Sequence, residues 1–194
     1  GNVAISAQVE NPNYHDLSVL AYIFLDDTTV LDSVYLVENG NIWVGTYLNG
    51  IGVLTSGGWT VYNTDNSGLP HNYINCIKVD KENNIWVGTD GGGLAVFDQT
   101  SWKIYNSQNS GLPSDVIIDI LCAEDGSIWI GTYFDGLVKF KDAQWIVFNT
   151  ENSELLSSKV FSLAADTNGV LWIGTHGGGL VSYNGTNWRV FNQR

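Results

Sequence analysis

Apolar residues in this 194-residue chain come in short bursts, each closed by Gly, Asp, Asn or another turn-forming residue. Residues 116–149, VIIDILCAEDGSIWIGTYFDGLVKFKDAQWIVFN, show the pattern. A β-branched run from Val116 to Leu121 ends in the turn AEDGS. Ile128 to Thr132 ends in YFDG, Leu137 to Phe140 ends in KDAQ, and Trp145 to Phe148 closes the unit. Runs this short, rich in Val, Ile, Trp and Phe and divided by turn residues, predict four strands joined as an antiparallel meander. No helical periodicity competes with that reading. Strands such as NIWVGT are apolar at consecutive positions rather than at alternate ones, which predicts a sheet covered on both faces.

The unit is repeated. Trp43, Trp86, Trp129 and Trp172 are spaced by 43 residues, and Trp59, Trp102, Trp145 and Trp188 follow them in the same register, 16 residues later each time. Together these account for all 8 tryptophans. Self-similarity at such a period marks an array of supersecondary units, none of which buries its apolar face alone. Four-stranded sheets that stack face to face around an axis make an all-β β-propeller, with four blades near residues 31–63, 74–106, 117–149 and 160–192. Gly45, Gly88, Gly131 and Gly174 follow the first tryptophans by two and share their face, where a missing side chain is expected to admit a large ring from the adjacent sheet. Residues 1–30 fall outside the repeat. VAISAQV alternates, NPNYHD reads as a turn and LSVLAYIFL as a buried strand, so a β-hairpin is expected there, as a cap, a clasp or the remnant of a preceding domain.

Composition narrows the function classes. An apolar content of 44% excludes disorder. No apolar run approaches the roughly 18 to 20 residues that a bilayer helix needs, so membrane insertion is not expected. The chain has no methionine, and an export signal removed ahead of Gly1 is expected to leave no trace. A net charge of −12 repels phosphate backbones and anionic surfaces, which argues against nucleic acid as a partner. Cys76 and Cys122 sit at non-equivalent repeat positions, offset by three, which predicts opposite faces and free thiols rather than a disulfide. The turns ENGN, DKENN, EDGS and DTNGV resemble calcium loops only superficially. None supplies alternating oxygen ligands followed by a bidentate Glu, so tight hairpins are expected and no metal or other cofactor is assigned.

The repeats NIWVGTDGGGLAVFD and SIWIGTYFDGLVKFK, with the linker NSGLP before the next blade, resemble those of the two-component regulator propeller family over residues 31 to 194. That resemblance implies an extracytoplasmic location, periplasmic, secreted or on a surface lipoprotein, and a sensor-type role in binding a ligand or partner, commonly linked to polysaccharide sensing. Sensors of the family usually carry more blades than the four complete copies here. Closure of four blades within one chain and a ring shared by a homodimer both stay open.

In a propeller the strand 2–3 turns and the linkers from strand 4 to the next blade emerge at one end, where variation between copies decorates a single surface. After the GT of each blade come Tyr47, Asp90, Tyr133 and His176, then Leu48, Gly91, Phe134 and Gly177, then Asn49, Gly92, Asp135 and Gly178. Blades one and three carry aromatic and apolar residues, whereas two and four carry one polar group before glycines. This odd–even pattern points to duplication of a two-blade unit, and on a closed four-bladed ring it sets Asp90 across from His176 and Tyr47 across from Tyr133. The linkers add His71, Asn72 and Tyr73, then Ser114 and Asp115, then Ser157, Ser158 and Lys159. Aromatic rings beside carboxylates and amides suit a sugar or another small polar ligand, because ring faces stack on C–H groups while hydroxyls need paired donors and acceptors. The candidate ligand-binding set is Tyr47, Asp90, Tyr133, Phe134, Asp135, His176, His71 and Asp115. Two other readings stand beside non-catalytic binding. One is a propeller enzyme, a polysaccharide or streptogramin-type lyase or a glycosidase, using Asp90 with His176 or Asp135; the other is a scaffold for a protein partner. With no nucleophile motif and no metal-ligand cluster in the sequence, an enzyme is not the expectation.

Overall fold

The computed structural model describes residues 33–36 and 40–191, with side chains from residue 40 onward; the hairpin expected over 1–30 lies outside the described residues. Four antiparallel sheets follow one another, each pairing its strands in chain order. Blade 1 comprises β1 (Ser33–Leu36), β2 (Ile42–Gly45), β3 (Ile51–Thr55) and β4 (Gly58–Tyr62). Blade 2 comprises β5 (Ile74–Val79), β6 (Ile85–Thr89), β7 (Leu94–Phe97) and β8 (Trp102–Tyr105). Blade 3 comprises β9 (Ile117–Cys122), β10 (Ile128–Thr132), β11 (Leu137–Lys141) and β12 (Gln144–Phe148). Blade 4 comprises β13 (Val160–Ala165), β14 (Leu171–Thr175), β15 (Gly179–Tyr183) and β16 (Trp188–Phe191). This is the propeller meander that the turn and strand pattern implies, and β6 and β10 are buried at every position, as their unbroken apolar runs require.

Three apolar cores join the blades. Trp43, Ile51 and Val53 of blade 1 meet Ile74, Ile77 and Ile85 of blade 2. Trp86, Leu94 and Val96 meet Ile117, Ile120 and Ile128 of blade 3, and Trp129 and Leu137 meet Val160, Leu163 and Ile173 of blade 4. Among the described residues no fourth core joins blade 4 to blade 1. At every seam the strand-4 ring of one blade meets the edge of the next blade's second tryptophan: Tyr62 with Trp102 at 6.0 Å, Tyr105 with Trp145 at 5.2 Å, Phe148 with Trp188 at 5.4 Å. Edge-to-face pairs of this kind add about 0.5 to 1.5 kcal/mol beyond their buried area.

The glycine after each first tryptophan faces the next blade, but it admits no ring. A Cβ on Gly45 would lie 2.7 Å from Ile74, on Gly88 2.8 Å from Ile117, and on Gly131 2.8 Å from Val160. The occupant is the β-branched residue that opens the next blade's first strand. Rings meet glycine elsewhere: a Cβ on Gly68 or Gly111, in the linkers, would lie 2.6 Å from the Cβ of Trp102 or Trp145.

The thiols also need a correction. Cys76 faces forward from blade 2 and Cys122 faces backward from blade 3, so opposite faces of equivalent sheets bring both into the same core. They remain free. Cys76 registers with Gly88 at the end of β6 nearest the strand 2–3 turn, whereas Cys122 registers with Ile128 at the far end of β10, which separates them along the strands. Burial, more than any other cause, pushes the Cys122 thiol up to about 12 and raises Cys76 as well.

The strand 1–2 and 3–4 turns form one end of the blades. Asp80 accepts the N–H groups of Glu82 and Asn84 and the indole N–H of Trp86 at 2.7 Å. Asp166 does the same for Asn168, Val170 and Trp172. The equivalents in blades 1 and 3 are Val37 and Ala123, and the buried indole nitrogen of Trp43 has no acceptor among the described residues. The odd–even alternation seen in the strand 2–3 turns therefore recurs at this end. Backbone N–H bonds, led by Val170, lower the Asp166 carboxyl; hydroxyl and backbone bonds from Thr100 and Ser101 lower Asp98. At Asp125 partial burial opposes ionisation, but bonds from Ser127 and Lys141 outweigh it and hold the group at about 2.

Candidate functional site

The GT pair builds the other end. In each blade the threonine hydroxyl donates to the carbonyl four residues on: Thr46 to Gly50 at 2.9 Å, Thr89 to Gly93 at 2.7 Å, Thr132 to Gly136 at 2.8 Å, Thr175 to Gly179 at 2.9 Å. The same oxygen accepts the N–H of Asn49, Gly92 and Asp135 in the first three blades. The closing glycines have φ between 77° and 93°, and in the first three blades a side chain there would strike the carbonyl of Tyr62, Tyr105 or Phe148. Three residues are thereby presented on a rigid turn, and these are the positions that vary.

Each turn is tied to a linker. Gly50 donates to Asn72 (3.0 Å), Gly91 and Gly93 to Asp115 (3.0 and 2.9 Å), and Gly136 to Ser158 (2.8 Å). The linkers are themselves locked, with Asn66, Asn109 and Asn152 accepting the N–H of Asn63, Asn106 and Asn149, over buried Leu69, Leu112 and Leu155. Turns and linkers form one surface, as the antiparallel meander demands.

On that surface two aromatic ledges stand at alternate seams. At the first, Tyr47 stacks on Tyr73 with ring centroids 4.4 Å apart, and His71 meets the edge of Tyr73 at 5.1 Å while its Nδ1 accepts the Tyr73 N–H. At the second, Tyr133 packs edge-on to Phe134 at 4.6 Å and stacks with Phe161 at 5.7 Å, with the Lys159 ammonium 5.1 Å from the Tyr133 ring. His176 lies 5.3 Å from Phe161. Tyr47 and Phe134 are each 60% exposed, held from beneath rather than covered. Blade 2's turn, with half-buried Asp90 and two glycines, separates the ledges.

The predicted residues are thus brought together by neighbouring blades, not across a ring. Tyr47 partners the linker into blade 2, and Tyr133 partners blade 4; blade 3 stands between Asp90 and His176, and no described contact joins them. Asp90 is fixed through its backbone, donating to Tyr73 and bridging to Val116. Asp135 is half-buried in its turn. Asp115 has a structural task, since its carboxylate accepts the N–H of Ser107 at 2.7 Å and the Ser107 hydroxyl at 3.0 Å. Asn72 holds Thr64 in the same way one repeat earlier, which gives Asp115 a scaffold role by position.

Tyr73 and Lys159, named among the linker residues, complete the ledges, and Phe161 joins them from outside the predicted residues. Phe161 had a findable signal. A β-bulge opens the first strand of blades 2, 3 and 4, and the extra residue is Asn75, Ile118 or Phe161, one period apart. Bulges turn a side chain out of the sheet plane toward functional surfaces, and only in blade 4 is that residue aromatic. Among the described residues no group of His, Cys, Asp and Glu is arranged to hold a metal ion.

Away from the ledges, the blade 2–3 seam opens at the opposite end into a cavity of about 90 Å³ lined by Asp80, Trp86, Cys122, Phe140 and Lys141.

Comparison with known proteins agrees with this architecture. The two component regulator propeller family model matches residues 68–91, 111–134 and 154–177, each match running from a linker through strands 1 and 2 into the variable turn. The extracellular domain described as that of a hybrid two component system from B. thetaiotaomicron superposes with a TM-score of 0.75 at 26% identity, over 84% of this chain and 23% of that one. A second such domain from B. thetaiotaomicron gives 0.73 at 21% identity, over 98% and 28%. The chain therefore spans about a quarter of the length of those domains. A catalytically inactive virginiamycin B lyase from Staphylococcus aureus, solved with quinupristin, gives 0.69 at 15% identity over 93% and 61%, a likeness of fold alone. No curated protein matches the sequence. Three family matches, sixteen described strands in four like sheets and these extracellular neighbours lead to one statement: three of the four blades, over residues 68–177, carry two component regulator propeller repeats.

Proposed function

We propose that this chain is a non-catalytic, extracytoplasmic binding propeller of the sensor type, and that its ligand is a glycan or similar polar molecule seated on the end carrying the strand 2–3 turns. The observation that carries the reading is the pair of ledges. Rings as exposed as Tyr47 and Phe134 add nothing to a core, yet each packs against a second ring, Tyr47 face to face and Phe134 edge-on, and is mounted on a turn fixed by a threonine and a glycine. Preformed aromatic platforms lose little entropy on binding, and they suit the C–H faces of sugars. Asp90 and Asp135 between and beside the ledges supply acceptors for hydroxyls. The extracellular neighbours support the location, and no helix among the described residues is long and apolar enough to cross a membrane. Lyase chemistry through Asp90 and His176 has less support, since a whole blade lies between them.

The test is a thermal-shift panel of neutral and acidic oligosaccharides. One or more members should raise the melting temperature, with about 2.7 kcal/mol of stabilisation at a hundredfold excess over Kd. Phe134→Ala and Tyr47→Ala should abolish that rise while leaving the unliganded melting temperature nearly unchanged. No rise across the panel, or a rise indifferent to both substitutions, overturns the proposal.

A further inference from the structure

The two outer faces of the blade series are built for each other. Leu94 and Leu137 occupy one repeat position and are fully buried by the following blade, but Leu180, the same residue type one period later, is 40% exposed. Trp43, Trp86 and Trp129 are buried at 2 to 6%, whereas Trp172 is only half-buried. Gly174 carries the cleft that in blades 1 to 3 admits Ile74, Ile117 or Val160, and among the described residues only Ser162 of its own sheet lies near it. Phe191 holds the place of Tyr62, Tyr105 and Phe148, the rings that receive the next blade's tryptophan. Among the described residues this socket is unfilled, and it has every part of the internal seams.

Blade 1 presents the matching plug. Trp59 stands where Trp102, Trp145 and Trp188 enter the preceding blade, and it is 40% exposed, with Val61 beside it at 47%. Leu54 stands where Phe97, Phe140 and Tyr183 lie against the preceding blade's first tryptophan. Charge favours the match. The chain carries −12, yet the strand residues on these two faces (Ser162, Ala164, Trp172, Gly174, Leu180, Ser182, Arg189 and Phe191 against Ile42, Val44, Gly52, Leu54, Trp59 and Val61) include one charged side chain, Arg189. Two copies of a strongly acidic protein meet here without repulsion at the contact itself.

We propose that a second copy of this chain docks its blade 1 on the blade 4 socket, and that the reciprocal contact closes a two-chain ring of eight blades. Three seams inside the chain show the contact geometry, so no new mode of packing is required. Eight is within the range of roughly four to eight blades that propellers close with. Each seam sets plug against socket, and a two-fold axis relates the two identical seams that complete the ring. The inference is independent of the ligand reading.

Native mass by light scattering over a wide concentration range tests it on the full chain. Wild type is expected at twice the 21.3 kDa chain mass. Leu180→Asp damages the socket and Val61→Asp the plug; both positions are exposed, so each variant should stay folded, as its circular dichroism and melting will show. Each alone should run as a monomer, and an equimolar mixture should recover the dimer, because one intact socket still meets one intact plug. Trp59→Arg serves as a second plug variant. A monomeric wild type overturns the proposal, as do masses growing beyond two chains. So does a dimer lost with Leu180→Asp but kept with both plug variants, which would mean a symmetric blade 4 contact.

Discussion

Blades 3 and 4 carry second strands of nearly the same sequence in two different surroundings. SIWIGT and VLWIGT occupy equivalent strands, yet β10 is buried at all five positions while β14 is buried at two. Neither propensity nor pattern separates them. What separates them is a neighbour: among the described residues, blade 3 is covered on both faces and blade 4 on one. A repeat in such an array has no fixed stability of its own, because a large part of it belongs to the seam it shares. The comparison also shows that a motif explains its own recurrence only where the next copy is present to receive it.

Substitutions should expose this difference. The largest effect is expected from Trp129→Ala, which empties a seam and should cost about 3 to 5 kcal/mol in denaturant unfolding. Trp172→Ala, half-buried, should cost about half that or less under dilute conditions, and equal losses would break the comparison. Next comes added volume. Gly131→Ala places a methyl 2.8 Å from Val160 and should destabilise by about 1 to 3 kcal/mol through overpacking. Under the same dilute conditions, with the second copy dissociated, Gly174→Ala meets only the Ser162 side chain, and a shift in its melting temperature as large as that of Gly131→Ala would show that something other than a second copy covers blade 4.

The smallest effect is expected from acid. Asp98, Asp125 and Asp166 are held low in the folded protein, so the unfolded chain binds more protons as pH falls below the ordinary carboxylate value. Their contribution is complete above about pH 4 and lost as pH falls through the folded values, near 2 for Asp125. Melting temperature should therefore drop progressively from pH 4 downward, and Asp125→Asn should flatten that slope. An unchanged slope in the variant would remove this carboxylate from the account. Because the three groups sit in turns of blades 2, 3 and 4 alike, the acid response should not distinguish covered from uncovered blades.

Much of the molecule was written in the local sequence. The 43-residue step, the turn residues and the consecutive apolar positions fix four meanders and their register, because strand pairing across a two- to five-residue turn is a short-range matter. The gathering of turns and linkers at one end followed from antiparallel order alone. The ledges were half legible. Tyr47, Tyr133, Phe134 and His176 stood out as departures from the repeat, but Phe161 is reached only through a bulge, and Asp115 looked like a ligand group until Ser107 was seen to occupy it.

What the sequence by itself determined is what one repeat does within itself and toward an identical neighbour: its strands, its turns, and the glycine that must stay small. Tertiary structure alone decided which side chain fills that glycine's space, that Cys76 and Cys122 share a core, and that Asp90 and His176 stand a blade apart. The physical reason is that those facts depend on how sheets are rotated and offset against one another. That arrangement is set by many apolar contacts summed across three seams, and no single stretch of chain encodes it.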